Sequence, residues 1–250
     1  MADPAVNTQL IKERLAFLKG GRFKAWLEIC AHCGYCSDSC FFYTAHKKDP
    51  KYSPAYKIMQ TLGKLYKQRG LATMEQLEEM ASIAYGDCTA CRRCSLYCPF
   101  GIDIATMIAA TRGILCGQGL APEPLMDAVK NYYESGNQMA VTAEEFIETC
   151  EWMEEETEEE MPGLEIPIDR EGVDMMYTIN AREAKFYPQD ISEVAMLFHA
   201  AGESWTMPSM GWDDTNLAMF AGEMKCAAHV VKLVYDAAEK LGVKKIGVTE

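Results

Sequence analysis

Eight of the eleven cysteines fall in two runs of identical spacing, Cys30-x-x-Cys33-x-x-Cys36-x-x-x-Cys40 and Cys88-x-x-Cys91-x-x-Cys94-x-x-x-Cys98. No other feature of the chain limits its fold as tightly. An odd number of cysteines, mostly bunched, fits a disulfide framework poorly and points to metal in a reducing compartment. The spacing has a mechanical reading. Two intervening residues let the chain curl around one centre, presenting three thiolates and backbone N–H groups toward it. The three-residue step then turns the fourth thiolate away. C-x-x-C pairs also serve tetrahedral zinc, but two complete runs favour a larger centre.

That larger centre has a known pattern. The spacing, with Pro99 directly behind the second run, is that of the ferredoxin run for 4Fe-4S clusters, whose fourth cysteine ligates the other cluster. By that rule Cys30, Cys33, Cys36 and Cys98 hold one 4Fe-4S cluster, and Cys88, Cys91, Cys94 and Cys40 hold a second. Phe41 stands where a proline matching Pro99 would follow the first run, which affects exit geometry more than ligation. Cys116, Cys150 and Cys226 read as small packed residues. His32 lies between ligands, and His46, His199 and His229 show no metal spacing.

Charge narrows the function classes. The net charge is −13, and residues 151–174 hold eleven carboxylates and one arginine, so they contribute −10 of it. An acidic total argues against nucleic acid as a partner. The Glu-rich run Glu154 to Glu160 reads first as a solvated helix end and linker, with a docking site as the alternative. Residues 41–72 show the opposite bias, seven Lys or Arg against the single acid Asp49. They read either as groups balancing anionic clusters or docking an acidic redox partner, or as a solvated helix face. Met1 to Leu10 lacks a basic start followed by an apolar run, so no signal peptide is expected. No stretch approaches eighteen consecutive apolar residues, so no membrane span is expected either.

Periodicity places these motifs on elements. Helices are predicted over 8–18, closed by Gly20-Gly21, and over 54–69, closed by Gly70. A third begins at a Thr73/Gln76 capping box, and another spans 103–116. Two more are predicted within 122–160, the first begun by Pro124. From Val173 the grammar changes: strands at 173–179, 204–207 and 245–249 alternate with helices at 191–201 and 216–241, as in parallel α/β units. The expected organisation is an N-terminal helix (1–28), an α-helical ferredoxin domain (29–118), a helical and acidic linker (119–170) and an α/β domain (171–250). Its last strand meets no covering helix before Glu250, so this domain is expected to be incomplete. The fold class is therefore mixed, helical and then α/β.

The 47 residues between Cys40 and Cys88 read as helices, and this resembles the helical ferredoxin modules of respiratory and heterodisulfide reductase-type subunits. Cys88-Thr-Ala-Cys91-Arg-Arg-Cys94-Ser-Leu-Tyr-Cys98-Pro-Phe-Gly-Ile-Asp103, with Tyr187 to Gly202, Ser204-Trp205-Thr206 and the helix ending Leu241-Gly242-Val243-Lys244-Lys245, extends the likeness over nearly the whole chain. It is similar to the cytoplasmic iron–sulfur, CCG-domain subunits of sulfate-reducer membrane redox complexes, the Tmc B, Dsr K and Hmc F subunits, with the Tmc type preferred. The resemblance implies electron relay in sulfate respiration, on the cytoplasmic face of the inner membrane. The implied partners are a membrane haem or quinone subunit and a cytoplasmic acceptor, a thiol/disulfide protein or ferredoxin. It also implies an alternative, a heterodisulfide reductase-like catalyst acting on a disulfide or trisulfide. No Cys-Cys-Gly occurs in these residues, so catalytic residues for that chemistry are expected only beyond residue 250.

Overall fold

The computed structural model describes residues 5–19 and 22–249; the expected Gly20-Gly21 stop and Glu250 lie outside them. The chain is mostly helical, with a small three-stranded parallel sheet. It divides into two compact units, Met1–Glu123 with Phe220–Glu223, and Pro124–Met219 with Met224–Glu250. No helix among the described residues is long and apolar enough to cross a membrane.

The first unit is built around helix Ile104–Cys116, which is apolar on most sides and therefore largely buried, with Thr106 exposed. Ile104, Met107, Ile108, Ile114 and Leu115 pack against Ile11, Ile58, Leu62, Leu65, Leu77 and Met80 from the helices around it. Each fully buried Leu or Ile contributes about 1.5–3 kcal/mol relative to exposure. The helix expected over 54–69 is two helices, Pro54–Gln60 and Leu62–Lys67. The break is at Thr61, whose buried hydroxyl donates to the Lys57 carbonyl at 2.7 Å; such back-bonding bends helices. The Thr73/Gln76 capping box is formed and starts helix Met74–Ala81, which continues as a π-helix over Ser82–Gly86.

The second unit holds the sheet. Strands β1 (Met175–Tyr177), β2 (Trp205–Thr206) and β3 (Lys245–Gly247) run parallel in the order β2-β1-β3. Met175 pairs with Trp205 on one side and with Lys245 on the other. The central strand is buried throughout, which explains why Val173 to Ile179 reads as a near-continuous apolar run. Of the segment 119–170, helix Ala143–Thr157 sends Phe146, Cys150 and Met153 into this core, with Phe146 stacked on Trp212 at 4.3 Å. Helix Phe23–Ile29 in the first unit, and Ala181–Phe186 in the second, were not expected from periodicity. They are too short for it to show.

Thr142 opens helix Ala143–Thr157 with a second capping box: its hydroxyl accepts from the Glu145 N–H at 3.1 Å, and Glu145 accepts from the Thr142 N–H at 2.7 Å. Thr142→Ala is expected to cost about 1 kcal/mol, read as a fall in Tm of roughly 2–4 °C. An unchanged melt would mean that this end of the helix is not capped in solution.

The stretch 216–241 is also interrupted. It forms helix Leu217–Ala221 and helix Met224–Leu241. Gly222 between them has φ +85, and a Cβ there would sit 2.5 Å from the Arg112 carbonyl carbon and oxygen, within the first unit. Only glycine permits both the backbone conformation and the approach.

Candidate iron–sulfur sites

The two cysteine runs share one backbone. In the first, His32 (φ 53) and Gly34 (φ 88) are left-handed; in the second, Ala90 (φ 56) and Arg92 (φ 63) occupy the same places and do the same. Helices Tyr35–Asp38 and Arg93–Leu96 then start at equivalent positions and hold Cys36 and Cys94. Alternating left-handed residues turn successive N–H groups inward, the geometry of an anion-binding nest. The Ala90 N–H approaches the Cys88 sulfur at 3.4 Å. The runs differ where they exit. Cys40 precedes helix Phe41–Ala45, whereas Cys98 and Pro99 enter a turn closed by the Gly101 N–H on the Cys98 carbonyl at 3.1 Å.

The eight thiols fall into two groups. Cys30, Cys33, Cys36 and Cys98 line one cavity of about 250 Å³, walled by Trp26, Ile58, Met59 and Ile102. Cys40, Cys88, Cys91 and Cys94 line a second and narrower one, about 30 Å³. Each ring takes three cysteines from one run and the fourth from the other. Ile104 lines both cavities. Cys33 and Cys91 are exposed, and the other six are partly buried. Burial pushes the Cys94 thiol up to about 12, aided by the neighbouring Cys88, Cys36 and Cys40 thiols. It also raises Cys36. Among the described residues, no three His, Cys, Asp or Glu side chains are gathered as a single metal ion would require. The thiols are instead spread around their cavities.

Of the remaining cysteines, Cys150 and Cys226 are buried and Cys116 is partly so. Burial pushes the Cys150 thiol up to about 12. His32 lines the first cavity.

Two cations beside the second ring are invisible to spacing arguments. Lys57 is 2% exposed, with its ammonium 3.8 Å from the Cys40 sulfur, donating to the Asp87 carbonyl and resting over the Phe42 ring at 4.7 Å. Arg112 is 3% exposed and donates through Nε and Nη2 to the Ala84 carbonyl at 3.0 and 2.9 Å, and to the Cys88 carbonyl. It thereby ties the π-helix to the first ligand of the second run. Such bulged turns free a carbonyl that an inserted donor can use. Arg112 looks in the sequence like an interruption of an apolar helix.

Asp103 joins the second run to the central helix. It caps that helix at the Thr106 N–H (3.1 Å), accepts from the Ser95 hydroxyl (2.9 Å) and pairs with Arg92 (2.7 Å). Burial alone would raise its pKa, but these hydrogen bonds and the Arg92 charge outweigh it and hold the carboxyl below its usual value. A depressed carboxylate contributes stability that is present above the unfolded value of about 3.9 and lost as pH falls through the folded one. Asp103→Asn is expected to remove that part of the acid limb when Tm is followed from about pH 6 to pH 3. An unchanged limb would show that the carboxylate is not held in this way.

The comparisons agree with the geometry. Residues 26–102 match the family model of the 4Fe-4S dicluster domain. Those residues contain all eight thiols of the two rings. The chain is 26% identical over 249 aligned positions to an Hdr-like menaquinol oxidoreductase iron-sulfur subunit of Archaeoglobus profundus, covering 91% of this chain and 44% of that relative. It is 30% identical over 136 positions to an Hdr-like menaquinol oxidoreductase iron-sulfur subunit 2 of Archaeoglobus fulgidus, covering 49% of this chain and 24% of that relative. The chain thus spans less than half the length of these curated relatives. No solved structure matches it.

Proposed function

We propose that the chain is an electron-transfer subunit holding two 4Fe-4S clusters, one on Cys30, Cys33, Cys36 and Cys98 and the other on Cys40, Cys88, Cys91 and Cys94. It relays electrons between a membrane haem or quinone subunit and a cytoplasmic acceptor in anaerobic respiration, in a complex of the Tmc, Dsr or Hmc kind. The observation that carries the reading is the pair of four-thiol rings, each closed by a cysteine from the opposite run. The clusters, when bound, supply one-electron transfer. The chain's own residues do the rest. The left-handed turn of the second run brings the Ala90 N–H to the Cys88 sulfur, and Trp26, Ile58, Met59 and Ile102 give the first ring an apolar wall. Among the described residues, Ile104 is the one side chain common to both walls, so the two sites are neighbours. The exposed Cys33 and Cys91 give each site its own face to the surface. The names of the two relatives support a quinol as the membrane-side electron source.

The test uses anaerobic native membranes containing the complete complex. Adding a menaquinol analogue should generate the EPR signals of the reduced clusters of this chain. Clusters that respond to dithionite yet stay oxidised with the quinol would overturn the relay as stated.

A further inference from the structure

The two rings differ sharply in the charge around them. Among the described residues, the first cavity has no Lys, Arg, Asp or Glu in its lining. The second is lined by Lys57, Arg92 and Arg93 against the single acid Asp87. Arg92 is paired with Asp103 and mostly exposed. Lys57 is different: its ammonium is buried, and among the described residues no carboxylate lies within ion-pair distance of it. A buried charge without a counter-charge is costly and is normally paired. The sulfur within its reach is that of Cys40, which would be a thiolate as a cluster ligand.

We propose that Lys57 sets the order of potentials: its ammonium makes the cluster on Cys40, Cys88, Cys91 and Cys94 the higher-potential of the two. An electron delivered to the chain comes to rest there. Arg112, on the Cys88 carbonyl, adds to the same bias. This inference rests on the two-cluster reading above. The physics is direct. Reduction adds one negative charge to a cluster that its thiolates already make anionic, and a fixed positive charge in a water-poor setting favours the reduced form. Net charge and hydrogen bonds to the sulfurs are among the features that set cluster potentials. Lys57 supplies both, acting through the Cys40 sulfur rather than as a ligand.

The experiment is an EPR-monitored redox titration with dithionite on the full chain, purified anaerobically with its iron. Two one-electron steps are expected, and Cys98→Ser should remove the lower one. Lys57→Met should lower the upper step by at least tenfold in the reduced-to-oxidised ratio at fixed potential, about 59 mV for one electron. The lower step should stay in place, and Lys57→Arg should restore the upper. If Lys57→Met fails to hold iron, Lys57→Gln keeps a donor for the Asp87 carbonyl without the charge and is read the same way. An unmoved upper step at full iron content would overturn the role of Lys57 alone, as would a shift in the lower step. Clearly fewer than about eight irons in the unmodified chain would instead overturn the two-cluster reading beneath it.

Discussion

Cys98→Ser should leave the chain with about half its iron. By the crossed arrangement this substitution opens the ring of Cys30, Cys33 and Cys36, although Cys98 lies in the other run. Iron per chain is then expected to fall from about eight to about four, with one set of reduced-cluster EPR signals remaining. A double-mutant comparison identifies which set is lost. Adding Cys33→Ser to Cys98→Ser should cost little further iron, because both act on the same ring. Adding Cys91→Ser should remove nearly all of it. The reverse pattern would show that each run closes on itself. Cys40→Ser is the reciprocal case, opening the ring of Cys88, Cys91 and Cys94.

The largest effect away from the thiols is expected at Gly222. Alanine there meets two obstacles: a left-handed backbone, and carbonyl atoms of Arg112 at 2.5 Å that belong to the central helix. Neither can yield cheaply, because Arg112 also holds the Ala84 and Cys88 carbonyls. Gly222→Ala is expected to cost about 3 kcal/mol, a fall in Tm of roughly 6–12 °C. The cluster on the second run should also be lost first on warming. Gly119→Ala is the control. Its φ is +76 but, among the described residues, nothing lies within 4 Å of the added Cβ, so it carries the backbone strain without the collision. Equal losses for the two variants would mean that the close approach to Arg112 does not matter in solution.

What could be read from the sequence follows what the chemistry of the residues constrains. The two runs of thiols were legible, because thiols on a curled chain cannot choose their spacing freely. The central helix and the Thr73 cap were legible too, since apolar period and capping residues act over one or two turns. Lys57 was not. In a basic stretch it looks like one more solvated lysine, and its burial depends on the turn at Thr61 and on Asp87, thirty residues away. Arg112 hid for the same reason: its partners are carbonyls, which carry no residue code. Gly222 hid inside a helical period, because the backbone that forbids a side chain there comes from 110 residues earlier. The left-handed pair in each run was half visible. Gly34 announces the conformation, whereas Arg92 adopts it without a glycine.

The proposed function stands on two 4Fe-4S clusters held by the two thiol rings. Iron, acid-labile sulfide and zinc per chain, measured on anaerobically purified protein, test it most directly. About eight irons and about eight sulfides per chain, with little zinc, are expected. About two zinc ions per chain and no sulfide would contradict it, because the same thiols would then be holding single metal ions.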